Sequence, residues 1–122
     1  MNISKFTQKS VQAVQDLEKV AYEYGNQEIE QEHLLYTLLT QEDSLILKLI
    51  EKMEINKEYF LNTVKNALDA KVKVSGGELR FGQYLNKALV NAEDEAKAMG
   101  DEYVSVEHLF LALLKYPSPS MK

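Results

Sequence analysis

Hydrophobic residues recur along the chain at the three- and four-residue spacing of amphipathic helices, not at the two-residue spacing of half-buried strands. The first helix is predicted to run from about Thr7 to Tyr24, with Thr7 as its N-cap and Gly25 just past its last turn. The second begins beside Glu30 and Glu32, whose negative charges favour the positive end of the helix dipole. The pattern predicts an all-α protein.

Two further helices complete the first half of the chain. The third is predicted over 45–53, with Asp43 or Ser44 as its cap, and Asn56 caps the fourth. The periodicity predicts that these side chains face inward from the two helices: Leu45, Ile46, Leu49, Ile50, Met53, Tyr59, Phe60, Val64 and Leu68.

The second half contains two helices of the same kind. The fifth is predicted from about Phe81 to Met99 and is closed by Gly100. The sixth runs from its cap at Ser105 to about Lys115, and the proline-containing segment that follows ends the helical pattern.

The two halves repeat each other without a gap at an offset of 75 residues. Laying 6–41 over 81–116 gives eleven identical pairs among 36 aligned positions, and the Glu-His-Leu motif at 32–34 returns at 107–109. An internal repeat fixes the architecture before any other feature does. Two copies with so long a period predict a pseudo-twofold, duplicated helical domain.

The repeat divides the chain into a first helical repeat over 1–70, a linker over 71–80 and a second helical repeat over 81–122. The pair Gly76-Gly77 favours flexibility, since glycine adds backbone freedom. We therefore predict a mobile break between Lys71 and Glu78.

A counterpart of residues 43–70 is missing from the second repeat, so we expect that this repeat lacks its last two helices, as in a truncated chain. The apolar face of the sixth helix would then lose its cover. That face is formed by Leu109, Phe110, Leu113 and Leu114. Large exposed apolar surfaces mark interfaces, and we expect the fragment to self-associate, by symmetric pairing or by exchange across the Gly76-Gly77 hinge.

Composition narrows the classes of function. The 122 residues include 14 basic and 19 acidic side chains, a net charge of −5 without a basic cluster, which argues against nucleic acid as a partner. The chain has no cysteine, no apparent secretory signal and no apolar run long enough to cross a membrane. We expect a cytoplasmic protein without a membrane partner.

The two histidines, His33 and His108, raise the question of a metal site. A zinc site needs three or four ligands, and the chain offers no cysteine and no third histidine. Because both histidines occupy the same place in their repeat, we predict that each makes a hydrogen bond at the start of its helix. No metal is expected.

No catalytic constellation is present either. Gly76-Gly77 lacks the Gly-Lys-Ser/Thr sequence of a phosphate-binding loop, and the serines of 118–120 have no neighbouring base. The carboxylates of 93–95 are interpreted as a solvated helix face. The sequence therefore predicts a binding domain and not an enzyme.

Three stretches identify the chain as similar to a known family. They are 6–10, then 26–30 ahead of the first Glu-His-Leu-Leu, and 100–105 ahead of the second Glu-His-Leu. They resemble the N-terminal domain of the Clp chaperone ATPases, with the disaggregase branch as the best match. The resemblance covers essentially the whole chain, and the doubled motif makes it specific.

The resemblance implies an eight-helix, pseudo-twofold domain that is tethered ahead of two ATPase modules and recruits unfolded or aggregated polypeptide. The parent protein would be a homo-hexamer that uses ATP, with no cofactor in this chain. In the family, clients bind in a groove between the repeats, and the positions implicated around it are Thr7, Asp101 and Glu107 here.

Two other functions remain open at this point. A protease-associated member of the family would use the same fold to dock folded adaptor proteins. A metal enzyme that uses both histidines is the more distant alternative. A requirement for a folded partner would favour the first, and stoichiometric metal would favour the second.

Overall fold

The computed structural model describes residues 3–74 and 78–121 of the chain. It confirms the all-α prediction and, over these residues, the number of α-helices. The helices are α1 (Gln8–Glu23), α2 (Gln31–Thr40), α3 (Leu45–Lys52), α4 (Lys57–Asp69), α5 (Gln83–Ala98) and α6 (Val106–Lys115). Two short 3₁₀ turns, Ile3–Lys5 and Pro119–Met121, flank them. None of the described helices is long and apolar enough to cross a membrane.

The caps that the sequence predicts fix where the helices begin. In each case a side-chain oxygen accepts a hydrogen bond from the backbone N–H three residues later: 3.3 Å at Thr7, 3.1 Å at Ser44 and 3.0 Å at Asn56. Such a bond satisfies one of the amide groups that the first turn of a helix leaves without a partner. Of the two candidates for the cap of α3, Ser44 is the one used.

The two halves are joined by an exchange of extended segments. Strand β1 (Glu28–Ile29) of the first half pairs in parallel with β2 (Arg80–Phe81) of the second. At the equivalent place, Phe6 of the first half bridges Val104 of the second. Each half therefore contributes one segment to the other, which is the pairing that a twofold repeat requires.

The hydrogen bonds between the exchanged segments join equivalent positions of the two repeats. Gly82 N donates to Ile29 O over 2.8 Å, and Thr7 N donates to Val104 O over 2.9 Å. The predicted start of the fifth helix at Phe81 is wrong for this reason. Phe81 belongs to β2, and α5 begins only after Gly82.

The core lies between the two halves and is dominated by leucine. The largest fully buried side chains are Leu17, Ile29, Leu34, Leu38, Leu39, Ile46, Ile50, Leu68, Leu85, Leu89, Leu109 and Leu113. Five of these belong to α2 or α6, the helices that carry the repeated Glu-His-Leu motif. The motif helices are thus central to the fold.

Three residues predicted to face inward are exposed instead. Leu45 is 41% exposed, Met53 59% and Tyr59 73%. Leu45 is the first residue of α3, Met53 is its C-cap and Tyr59 lies in the first turn of α4. Each therefore lies at a helix end, where the side chain projects beyond the packed stretch of the helix.

The prediction that the apolar face of α6 is exposed is also wrong for three of its four residues. Leu109, Phe110 and Leu113 are buried, because α1, α2, α3 and α5 all pack against α6. Leu114 alone remains exposed, at 60%. The self-association expected from this face therefore rests on Leu114.

The first residues of the linker are hydrogen-bonded to the first half of the domain. Val74 N donates to Gly25 O over 2.9 Å, and Asn26 Nδ2 donates to Val72 O over 3.0 Å. Residues 71–74 are thus fixed to the first half, so the predicted mobile break does not begin at Lys71. The glycines of the predicted hinge, Gly76 and Gly77, lie outside the described residues.

Gly100 follows the last turn of α5 in the left-handed backbone conformation, and substituting it measures what this conformation costs another residue. Its φ is +74°, and a Cβ placed there would meet no atom within 4 Å. We expect Gly100→Ala to lower the free energy of unfolding by about 1 kcal/mol through backbone strain alone. Gly100→Asn should cost less, since asparagine tolerates this conformation. Urea denaturation compares the variants, and equal stability of Gly100→Ala and wild type would contradict the expectation.

Candidate functional site

The first Glu-His motif organises the start of α2 through its histidine. The Glu30 N–H donates to His33 Nδ1 over 2.9 Å. Because Nδ1 accepts this bond, the ring proton resides on Nε2, which donates to Asn26 Oδ1 over 3.0 Å. The ring thereby ties the loop before α2 to the helix start, as the sequence predicts.

The second motif repeats the arrangement with one chemical change. The Ser105 N–H donates to His108 Nδ1 over 2.9 Å, and His108 Nε2 donates to Asp101 Oδ2 over 2.8 Å. A carboxylate thus takes the place of the Asn26 amide. The hydrogen-bonding role predicted for both histidines is confirmed.

His33 is completely buried, and this determines its charge. Burial, followed by the positive charge of Lys71, lowers the pKa of His33 to about 4. The ring is therefore neutral near pH 7 and serves as a fixed hydrogen-bonding group. Within the described part of the chain, no group of three or more potential metal ligands comes together.

An open cavity of about 370 Å³ lies where the start of α1 meets the start of α6. Thr7 and Glu107, two of the three predicted site residues, line this cavity. The remaining lining residues are Gln8, Lys9, Gln41, Asp43, Leu45, Ser105 and Val106. The cavity thus draws on both halves, and the exposure of Leu45 is explained by its position in the wall.

The polar groups of the cavity differ in how far they are already engaged. Thr7 is bound into the fold, since its hydroxyl caps α1 and its N–H donates to Val104 O. Glu107 is exposed, and its carboxylate has no hydrogen-bond or ion-pair partner among the described residues. Glu107 is therefore an unengaged acceptor of the site, as is the exposed carboxylate of Asp43, and it lies beside the apolar side chains of Leu45 and Val106.

Asp101, the third predicted residue, does not line the cavity. Its carboxylate holds His108, and 48% of its side chain is exposed. Asp101 acts on the site through His108, which fixes the backbone at the start of α6 next to Glu107. The structure brings Thr7 and Glu107 together and leaves Asp101 in a supporting position.

Sequence reasoning missed Leu45 and Val106 as residues of the cavity wall. Leu45 was assigned to the core because of its helical spacing. Val106 follows the cap of α6 and carries no motif of its own. The one signal that marks it is its difference from Gln31, the residue at the same place in the first repeat.

Comparison with known proteins bears on the whole chain. The family model described as "Clp repeat (R) N-terminal domain" matches residues 5–120. Among curated proteins, "Chaperone protein ClpB" of Nitratidesulfovibrio vulgaris is 38% identical over an alignment of 126 residues that covers 99% of this chain and 15% of the relative. That of Porphyromonas gingivalis is 40% identical over 114 residues, or 93% and 13%. The chain thus spans about a seventh of these relatives.

Solved structures show the same fold. The Hsp104 N-terminal domain from Candida albicans superposes with a TM-score of 0.83 at 21% identity, covering 92% of this chain and 75% of that chain. The N-terminal domain of the ClpV1 ATPase from E. coli gives 0.84 at 22% identity, with coverages of 94% and 71%.

Proposed function

Since the chain belongs to the Clp repeat N-terminal domain family, we propose that it is the client-recruiting domain of a ClpB-type disaggregase in the cytoplasm. It binds unfolded or aggregated polypeptide in the cavity between the two halves. The observation that carries the proposal is the pairing of an unengaged carboxylate, Glu107, with the exposed apolar side chain of Leu45 in one open cavity.

The cavity suits an extended polypeptide without strict sequence preference. Apolar client side chains contact Leu45 and Val106, which supply most of the affinity through burial of apolar surface. Glu107 accepts a hydrogen bond from a client N–H group or pairs with a basic side chain. Since a disordered client loses conformational entropy on binding, we expect a Kd on the order of micromolar or weaker.

The domain itself performs no chemistry in this proposal. The chain spans only 13–15% of the curated relatives quoted above. We propose that ATP hydrolysis belongs to other parts of a longer, hexameric protein. The domain raises the local concentration of client near that motor, and weak binding allows release. In the assembled protein the apparent affinity for a client is higher than that of one domain, because several tethered copies of the domain can bind the same client.

Removing the acidic groups of the site should weaken client binding. We expect Asp101→Ala combined with Glu107→Ala to raise the Kd for an unfolded, carboxymethylated model protein about tenfold, or about 1.4 kcal/mol. The physical reason is loss of the Glu107 carboxylate as an acceptor and of Asp101, the group that positions it through His108. Fluorescence anisotropy measures the affinity, and circular dichroism checks that the helices are retained.

A matched control separates the site from general charge effects. Glu18→Ala combined with Asp94→Ala also removes two exposed carboxylates, one from α1 and one from α5, and should leave the affinity unchanged. Full affinity of the Asp101/Glu107 double variant would refute the site. Binding that requires a folded partner, with none to unfolded protein, would favour the adaptor-docking function of ClpC- and ClpA-type chaperones.

A further inference from the structure

The open cavity has a counterpart in the other half of the domain, because the chain repeats at an offset of 75 residues. The residues Ser105, Val106 and Glu107 correspond to 30–32. Gln41, Asp43 and Leu45 of the cavity wall correspond to positions 116, 118 and 120. We call the segment 116–121 the strap, since it crosses the start of α2.

The side chain of Gln31 holds the strap by hydrogen bonds to the strap's main-chain atoms. Its Nε2 donates to Tyr116 O over 3.1 Å, and its Oε1 accepts from Ser118 N over 2.8 Å. The same Nε2 also donates to Tyr84 O at the start of α5, over 3.1 Å. Gln31 is 1% exposed, so these bonds are shielded from water. The strap is bound by main-chain contacts that any extended polypeptide can make.

Glu32 provides a second contact and one unused acceptor. Ser120 Oγ donates to Glu32 Oε2 over 2.7 Å, and Lys71 Nζ lies 3.3 Å from the same oxygen. The other oxygen, Oε1, is buried without a hydrogen-bond partner. A buried acceptor that stays unpaired is costly, so the strap fills the site incompletely.

The open half differs at the residue that holds the strap. Val106 stands where Gln31 stands in the first half, and a valine side chain can neither donate nor accept a hydrogen bond. The segment that follows α2 therefore has no buried amide to fasten it over the start of α6. The cavity beside Glu107 stays open as a result.

We propose that Gln31 and Glu32 form a second polypeptide-binding site, which the strap occupies in this structure. Its ligand is an extended segment of unfolded polypeptide, held through its backbone by the Gln31 amide and through an N–H or hydroxyl donor by Glu32. The exchange of glutamine for valine decides which of the two related sites is open. The inference rests on the proposed function for the class of ligand.

The test releases the strap, keeps the Gln31 amide and counts bound peptides. Ser120→Asp places a negative charge against Glu32 and so loosens the strap, and the probe is a short unstructured peptide rich in leucine and valine. By NMR, we expect wild type to show shifts only near Thr7 and Glu107. The variant should show additional shifts at Glu32 and Leu35, with the calorimetric stoichiometry rising from one peptide to two. Val106→Gln introduces the missing amide into the open half and should close the open cavity.

A second variant separates release of the strap from binding of the peptide. Gln31→Val also loses the bonds to Tyr116 and Ser118, but it removes the amide that holds a bound peptide, so it should not gain a second peptide. The inference is overturned if Ser120→Asp exposes the Ser118 amide to hydrogen exchange without new shifts at Glu32. It is also overturned if Gln31→Val gains the same shifts as Ser120→Asp.

The two proposals can fail separately. Binding at Glu32 in Ser120→Asp, without binding near Thr7 in wild type, would refute the proposed function and support the second site. Absence of binding at either place would refute both.

Discussion

Lys71→Met is expected to lower the free energy of unfolding by about 3 kcal/mol, because it leaves a buried carboxylate without its counter-ion. Lys71 Nζ lies 3.0 Å from Glu30 Oε2 and 3.3 Å from Glu32 Oε2. The side chains of Lys71 and Glu32 are only 13% and 5% exposed, so water cannot solvate the Glu32 carboxylate once the lysine is replaced. Chemical denaturation followed by circular dichroism measures the loss.

A double variant isolates this electrostatic term. Glu32→Gln is nearly isosteric and removes the charge that Lys71 compensates. In the Lys71→Met background it should recover about 2 kcal/mol, since the buried group is then neutral. An additive result, in which the double variant is less stable than Lys71→Met alone, would show that Lys71 stabilises the fold through packing and not through its charge.

Acidification is expected to destabilise the domain through His33. Its pKa is lowered to about 4 in the folded state, against about 6.5 in the unfolded chain. The unfolded state therefore binds the proton first as the pH falls. The stability present above pH 6.5 declines by about 1.4 kcal/mol per pH unit down to pH 4, for a total of about 3 kcal/mol, and then levels off.

The His33→Gln variant identifies the group responsible. A glutamine at this position can still accept the Glu30 N–H, as the third residue of a capping box does. It cannot take up a proton in this range. The stability difference between wild type and variant should be constant above pH 7 and shrink between pH 6.5 and 4. A difference that does not change with pH would assign the acid sensitivity to other groups.

The six described helices and the caps of α1, α3 and α4 could be predicted from the sequence because both depend on local spacing. Thr7, Ser44 and Asn56 cap helices that their own neighbours define, and Gly25 and Gly100 adopt the positive φ expected after a last turn. The repeat likewise predicted that the two histidines play one role. These features need no knowledge of distant contacts.

The features that were missed depend on contacts between distant parts of the chain. Strands β1 and β2 are two residues each and leave no periodic signal. Leu45 has the spacing of a core residue, yet it lines a cavity that exists only because α6 lies opposite. Thr7 and Glu107 were placed in one site from family resemblance, since nothing in their local sequence relates them.

The exchange of segments between the halves also dictates when the domain can fold during synthesis. The hydroxyl of Ser10 donates to Val104 O across 94 positions, beside the bridge between Phe6 and Val104. The segment 6–10 therefore cannot make these contacts until Val104 has left the ribosome. At a translation rate of roughly 5–20 residues per second, that wait is on the order of 5–20 seconds. Throughout that interval, a domain proposed to bind unfolded proteins lacks the contacts that join its own two halves.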